Sequence, residues 1–201
     1  MQPTSQCRGR TPARTGSTAV LGTWALLSLL VAVVASQPHA IAAADSATLP
    51  TPFSAAEIRD GWPEGFWLDT RQVTPQGERI SRTIVTRWGQ EDVTMVDVEF
   101  DGATEPTAEQ ISAATPSTTT WDELEAHARF DTSRSSRERH RRTTALGVDL
   151  DGWLYRVEGR QGGVSWFFFA DDFPGSPVFY WQTKDGLTLF EAEQVARKLV
   201  P

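Results

Sequence analysis

Cysteine is nearly absent from this chain: Cys7 is the only one, and it precedes the long apolar run near the N-terminus. Disulfides and thiol chemistry are therefore excluded beyond it. A lipid-anchored cysteine at the start of a mature chain is excluded as well, because none follows the run. Basic charge is also short, with 19 Lys and Arg against 26 Asp and Glu and a net charge of −7. Every acidic residue lies after Ala44, so the remainder is more acidic than the whole. That balance argues against nucleic acid or an anionic lipid surface as the main partner. Missing too are a Gly-x-Ser-x-Gly elbow, a phosphate loop and a dinucleotide fingerprint.

The N-terminus has what the rest lacks. Arg8, Arg10 and Arg14 precede an almost wholly apolar stretch from Ala19 to Ala35. Ala40-Ile41-Ala42 and Ala42-Ala43-Ala44 then fit the small-x-small rule for signal peptidase. A basic start, an apolar middle and such a site define a secretory signal over residues 1–44, with a single β-rich domain over 45–201. An uncleaved anchor is the competing reading, because the apolar stretch is just long enough to span a bilayer. Both place the C-terminal part outside the cytoplasm, in the periplasm or the extracellular space. With the signal cleaved, no transmembrane segment is expected.

Aromatic and β-branched residues are prominent after Ala44, and they favour strands. Ser54 and Glu57 have capping-box spacing, which predicts a short helix that Gly61, Pro63 and Gly65 end. Strand-like runs come next, over 66–73, 79–88 and 92–100. In the second, Ile80, Ile84 and Trp88 share one face and Arg79, Ser81, Thr83 and Arg87 the other. In the third, Val93 and Met95 oppose Val96, Val98 and Phe100, a change of phase that suggests a bulge. Residues 101–119 read as a polar surface loop with one helical turn after Thr107. Thr120 and Glu123 form a second capping box, opening a helix that runs to about Phe130 with Trp121, Leu124 and Ala128 as its apolar stripe. Further strands cover 133–144, 153–158, 164–170, 178–183 and 187–190, with Gly147 and Asp151-Gly152 read as turn punctuation. The ending, 191–199, fits helix and strand equally. The fold class is α+β, mainly β: a curved antiparallel sheet or half-barrel of about seven or eight strands packed on one helix.

Three groups of residues are candidates for function. Trp166 and Phe168 oppose Phe167 and Phe169 on a strand apolar on both faces, and Phe179-Tyr180-Trp181 repeats the pattern. Such strands need cover on both sides. Protein alone can provide it, or a curved sheet can enclose an apolar ligand between Trp166, Phe168, Trp181 and the helix residues Trp121 and Leu124. Arg137, Arg139 and Arg141 would project from one face of a strand as a ladder for an anion or a partner. The alternative is an edge strand whose charges discourage association. His127 and His140 are too few for a zinc site, and Asp149-Leu150-Asp151-Gly152 lacks the later ligands of a calcium loop. No catalytic residue, metal or cofactor is assigned.

Laid out in order, the chain resembles a loose set of uncharacterised secreted bacterial proteins. The likeness rests on Phe53-Ser54-Ala55-Ala56-Glu57-Ile58-Arg59, Thr120-Trp121-Asp122-Glu123-Leu124, Gly152-Trp153-Leu154-Tyr155, Phe168-Phe169-Ala170 and Pro174-Gly175-Ser176-Pro177. In architecture alone it is similar to the periplasmic lipoprotein-carrier superfamily. That resemblance implies an incomplete barrel wrapped around a helix and sheltering acyl chains, and it carries over no binding residue. The functional expectation is a non-catalytic envelope or periplasmic binding protein for an apolar or acyl ligand, either a small molecule or a lipid. A protein-interaction module of an envelope assembly is the alternative. A hydrolase with paired carboxylates ranks third.

Overall fold

The computed structural model describes residues 47–144, 147–159 and 162–198. The expected signal segment, residues 1–44, lies outside them, as do Arg160, Gln161 and Leu199.

Each helix begins where cap chemistry permits it. Helix α1 spans Ala55–Gly61, α2 Ala108–Ala113 and α3 Trp121–Ala126. All three start with a reciprocal capping box, formed by Ser54 with Glu57, Thr107 with Gln110, and Thr120 with Glu123. These side chains satisfy backbone donors that the first turn leaves open. Helix α3 stops short of the expected Phe130. The amides of Ala128 and Arg129 tighten onto the carbonyls of Glu125 and Ala126. Phe130 thereby leaves the helix and stacks on Phe167 at 5.0 Å.

Glu125 ties two helices together. It accepts from Arg129 at 3.1 Å and from the first amide of α1, Ala55 N–H, at 3.0 Å. The Arg129 contact, followed by the Ala55 amide, holds its carboxyl below the ordinary carboxylate range. Hydrogen bonds from the cap residues lower Glu57 and Glu123 in the same way. A depressed carboxylate contributes stability that is complete above the unfolded value, about 4.3, and is lost as pH falls through the folded one. Thermal melts from about pH 6 down to about pH 3 should therefore show a falling midpoint. Glu125→Gln should flatten that fall, and equal slopes for the two proteins would count against the linkage.

Among the described residues, nine strands form one curved, unclosed antiparallel sheet. They are β1 (Trp67–Thr74), β2 (Gly77–Trp88), β3 (Asp92–Phe100), β4 (Ser117–Thr120), β5 (Ser135–Thr143), β6 (Asp149–Glu158), β7 (Gly163–Ala170), β8 (Phe179–Lys184) and β9 (Leu187–Arg197). Their order across the sheet is β4-β3-β2-β1-β9-β8-β7-β6-β5. The mainly β, α+β class is as expected, with nine strands where seven or eight were counted and three short helices where one was weighted. The expected loop before Thr120 contains α2 and ends as β4, whose Ser117 to Thr120 pair with Met95 to Asp92 of β3. The tail is strand, because Leu68 to Val73 of β1 would otherwise have no partner on that side. Pairing overrides the helix-favouring composition there.

A register shift falls between Val85 and Arg87 of β2, opposite Met95 and Thr94. The phase change expected in β3 is thus made by one extra residue in its neighbour. The shift also moves Trp88 off the face of Ile80 and Ile84, onto the core with Val85 and Val93. That core lies under α1 and α3 and gathers Ile58, Trp62, Trp121 and Ala128 against Leu68, Tyr155 and Phe169. A second, smaller core on the other sheet face holds Leu150, Leu154, Phe168, Ala170, Val178 and Phe179. Among the described residues it contains none from a helix.

Candidate functional site

Alternation along β7 decides where the expected ligand residues go. Phe167 and Phe169 face the helices, through Phe130 and Tyr155. Trp166 and Phe168 therefore face away from them. Trp121 belongs to the helix-side core and donates its indole N–H to the Gly89 carbonyl at 2.9 Å. Leu124 packs beside it. The five residues do not meet: Trp121 and Leu124 lie on one sheet face, and Trp166, Phe168 and Trp181 lie on the other with the second core. The expected enclosure between them is corrected on that ground. A cavity of about 150 Å³ remains between helices and sheet, lined by Leu124, Phe130, Phe167 and Phe169 among others. This falls below the usual range of ligand pockets, about 300–1,000 Å³.

The sheet face opposite α1 and α3 carries an aromatic row across three strands. Arg156, Trp166 and Trp181 are register partners on β6, β7 and β8. The two indoles stack at 5.4 Å with an interplanar angle of 4°. The Arg156 guanidinium lies 5.7 Å from the Trp166 ring and bonds to Glu158. In the next row Phe168 is fully buried, with the His140 ring edge-on at 5.8 Å. Arg142 places its guanidinium carbon 3.3 Å from the Phe179 ring and 5.6 Å from Trp181. Its Nε is shielded from solvent and has no hydrogen-bond partner. Half-buried tryptophans flanked by arginines match the composition of protein-interface centres.

Among the described residues, strand β5 is an edge, paired only with β6. Its Arg137, Arg139 and Arg141 all point to the helix side, opposite Tyr155, Trp153 and Asp151. Asp171 holds Arg139 in a two-pronged pair at 2.9 and 2.6 Å, and Asp151 holds Arg141 at 2.9 and 2.7 Å. Each pair raises the pKa of its arginine further. Arg137 bonds to the Pro50 carbonyl and the Tyr155 hydroxyl, with its guanidinium 4.2 Å over Trp153. The ladder is engaged within the fold, which suits the edge-guarding reading of it.

Three arginines outside the expected ladder are the more unusual ones. Arg82 is buried with Asp69, bonds to it at 2.6 and 2.8 Å, and also bonds to Glu105. Its guanidinium lies 3.8 Å over Trp67, and the Asp69 hydrogen bond is the largest influence on its pKa, driving it upward against the loss of hydration. A signal was available, since Arg82 falls in phase with apolar Ile80 and Ile84. Arg142 closes the basic run that begins at Arg134, and Arg197 lies in the ambiguous tail, so neither stood out by phase. Among the described residues, no three His, Cys, Asp or Glu side chains gather as a metal site. Among the same residues, no helix is long and apolar enough to cross a membrane.

No protein-family model matches the chain, and no curated protein does. Among solved structures, one described as the complex of Pseudomonas aeruginosa MucA and MucB aligns over 73% of this chain and 56% of that one, at 11% identity and a TM-score of 0.46. The present chain therefore spans little more than half of that neighbour's length.

Proposed function

We propose that the protein is a non-catalytic, exported binding module of the cell envelope whose partner is another protein, docked on the sheet face opposite α1 and α3. The observation that carries this reading is the Arg156–Trp166–Trp181 row, half-buried on the face opposite α1 and α3. Aromatic side chains and arginine supply most of the energy of protein interfaces, and such a stack is already ordered before binding. Export rests on the basic, apolar and small-residue pattern of residues 1–44. The narrow space between helices and sheet turns the reading away from an acyl chain held there.

Site-specific photocrosslinking in the producing cells tests it. A photoreactive residue at Glu158, on the same face as Arg156, should give an adduct of one discrete mass. The same residue at Glu123 on α3 should not. Trp166→Glu should abolish the adduct while circular dichroism shows an intact sheet. Identical adducts from both faces, or a Glu158 adduct that survives Trp166→Glu, would overturn the assignment.

A further inference from the structure

The largest cavity among those described, about 330 Å³, lies where β9 outruns its neighbour. Strand β8 begins at Phe179, opposite Glu193, so Gln194 to Arg197 extend past its end. Segment 171–178 crosses this gap, and the Gln194 amide bonds to the Val178 carbonyl. A register shift at Asp69/Thr70 makes Val195 the extra residue of β9, because Thr70 faces Gln194 and Asp69 faces Ala196. A bulge re-aims side chains that simple alternation would send to opposite faces. Gln194, Val195, Ala196 and Arg197 consequently all line one cavity, closed on the other side by Leu150, Phe173 and Val178.

Two polar groups in this apolar wall are left unanswered. The Arg197 guanidinium lies 4.3 Å from the Phe173 ring and 5.1 Å from Phe66. Rings occupy its face, and its Nε is shielded from solvent and without a partner, so a group entering the cavity would meet the two terminal nitrogens. No ion pair of Arg197 occurs among the described residues. Loss of hydration pulls its pKa down to about 10, so it stays charged at neutral pH. Gln194 is the second case. Its Nε2 donates to the carbonyls of Ser176 and Pro177 at 3.2 and 3.1 Å, and its Oε1 has no partner. Two carbonyl acceptors fix the amide orientation, so the orphan is the oxygen.

We infer that this cavity binds a small amphiphile with a single carboxylate, its apolar body against Leu150, Val178 and Val195 and its acid end on the terminal nitrogens of Arg197. The planar fork of a guanidinium matches a carboxylate through its two terminal nitrogens. A dianion such as phosphate would leave excess negative charge beside one cation, on a protein already at −7. The volume lies at the low end of ligand pockets, which suits a body of medium length. The site is independent of the tryptophan row.

Sodium octanoate and octan-1-ol, each titrated into the purified protein by calorimetry, test the inference, alongside the Arg197 Nε–H resonance in a proton–nitrogen spectrum. Octanoate should bind saturably and octanol about tenfold more weakly or worse, the usual worth of a charged hydrogen bond. Octanoate alone should move the Nε–H resonance. Arg197→Gln should bring the two affinities together, and Ala196→Phe, which fills the cavity, should remove both. Equal binding of acid and alcohol, absence of saturation, or an Arg197→Gln protein that keeps the preference would overturn it. If Arg197→Gln does not fold, an Nε–H resonance unmoved by octanoate in the parent protein overturns it equally.

Discussion

Arg82→Ala is expected to destabilise the fold by about 3–5 kcal/mol, a fall in Tm of roughly 10 °C. The side chains of Arg82 and Asp69 are only 8% and 7% exposed. Removing the guanidinium would leave the Asp69 carboxylate in the sheet without its two hydrogen bonds, with Glu105 close by. It would also strip the cation from the Trp67 ring. The cost comes from the charge left behind more than from the value of the pair itself, so replacing both partners distinguishes the two. Asp69→Leu with Arg82→Met should recover most of the loss, because a well-packed apolar pair can match a buried ion pair. Urea denaturation of the three proteins settles the matter. A loss below about 1 kcal/mol for Arg82→Ala would mean that water reaches the cluster as it does an ordinary surface bridge.

Gly152→Ala should be comparably severe. Gly152 pairs with Ala170 in the β6–β7 ladder. A Cβ built on it would come within 2.0 Å of the Phe169 carbonyl oxygen and 2.9 Å of the Ala170 Cα. These are backbone atoms, so no side chain can move aside. The strands would have to separate where Phe168 and Phe169 anchor both cores. Overpacking costs about 1–3 kcal/mol when neighbours adapt and more when they cannot. A loss of about 3 kcal/mol or greater, or failure to accumulate as folded protein, is therefore expected. Gly163→Ala on β7 is the control, since the nearest atom to its new methyl would be 3.3 Å away. Similar melting points for the two variants would mean that the β6–β7 ladder yields more easily than its geometry implies.

What was legible in the chain was local. The capping boxes at Ser54 and Thr120 announced helix starts because their chemistry lies within four residues. Alternation separated Trp166 and Phe168 from Phe167 and Phe169 for the same reason. Which face the helices would cover was not legible, because Phe130 meets Phe167 only once the sheet is assembled. The same limit explains Gly152, read as turn punctuation beside Asp151. Its role comes from the approach of β7, and nothing next to it in sequence reports that. The polar run Ser117 to Thr120 misleads in another way: it has no apolar alternation, and it is a strand because β3 offers it a free side. Arg82 was the exception, a charged residue at an apolar phase that period-two counting alone could have singled out.

The order of strands has a consequence for assembly. β1 to β4 and β5 to β9 are two runs in which each strand lies beside its sequence neighbour. Among the described strand pairings, only the β1–β9 seam joins residues as distant as Arg71 and Glu193, 122 positions apart. The entropy of closing the chain is concentrated in that single seam, since every other strand pairing closes a much shorter loop. The two halves can each zip up by hairpins before they meet. The first and last strands then become the middle of the sheet, and its two open margins are left to strands from the centre of the chain.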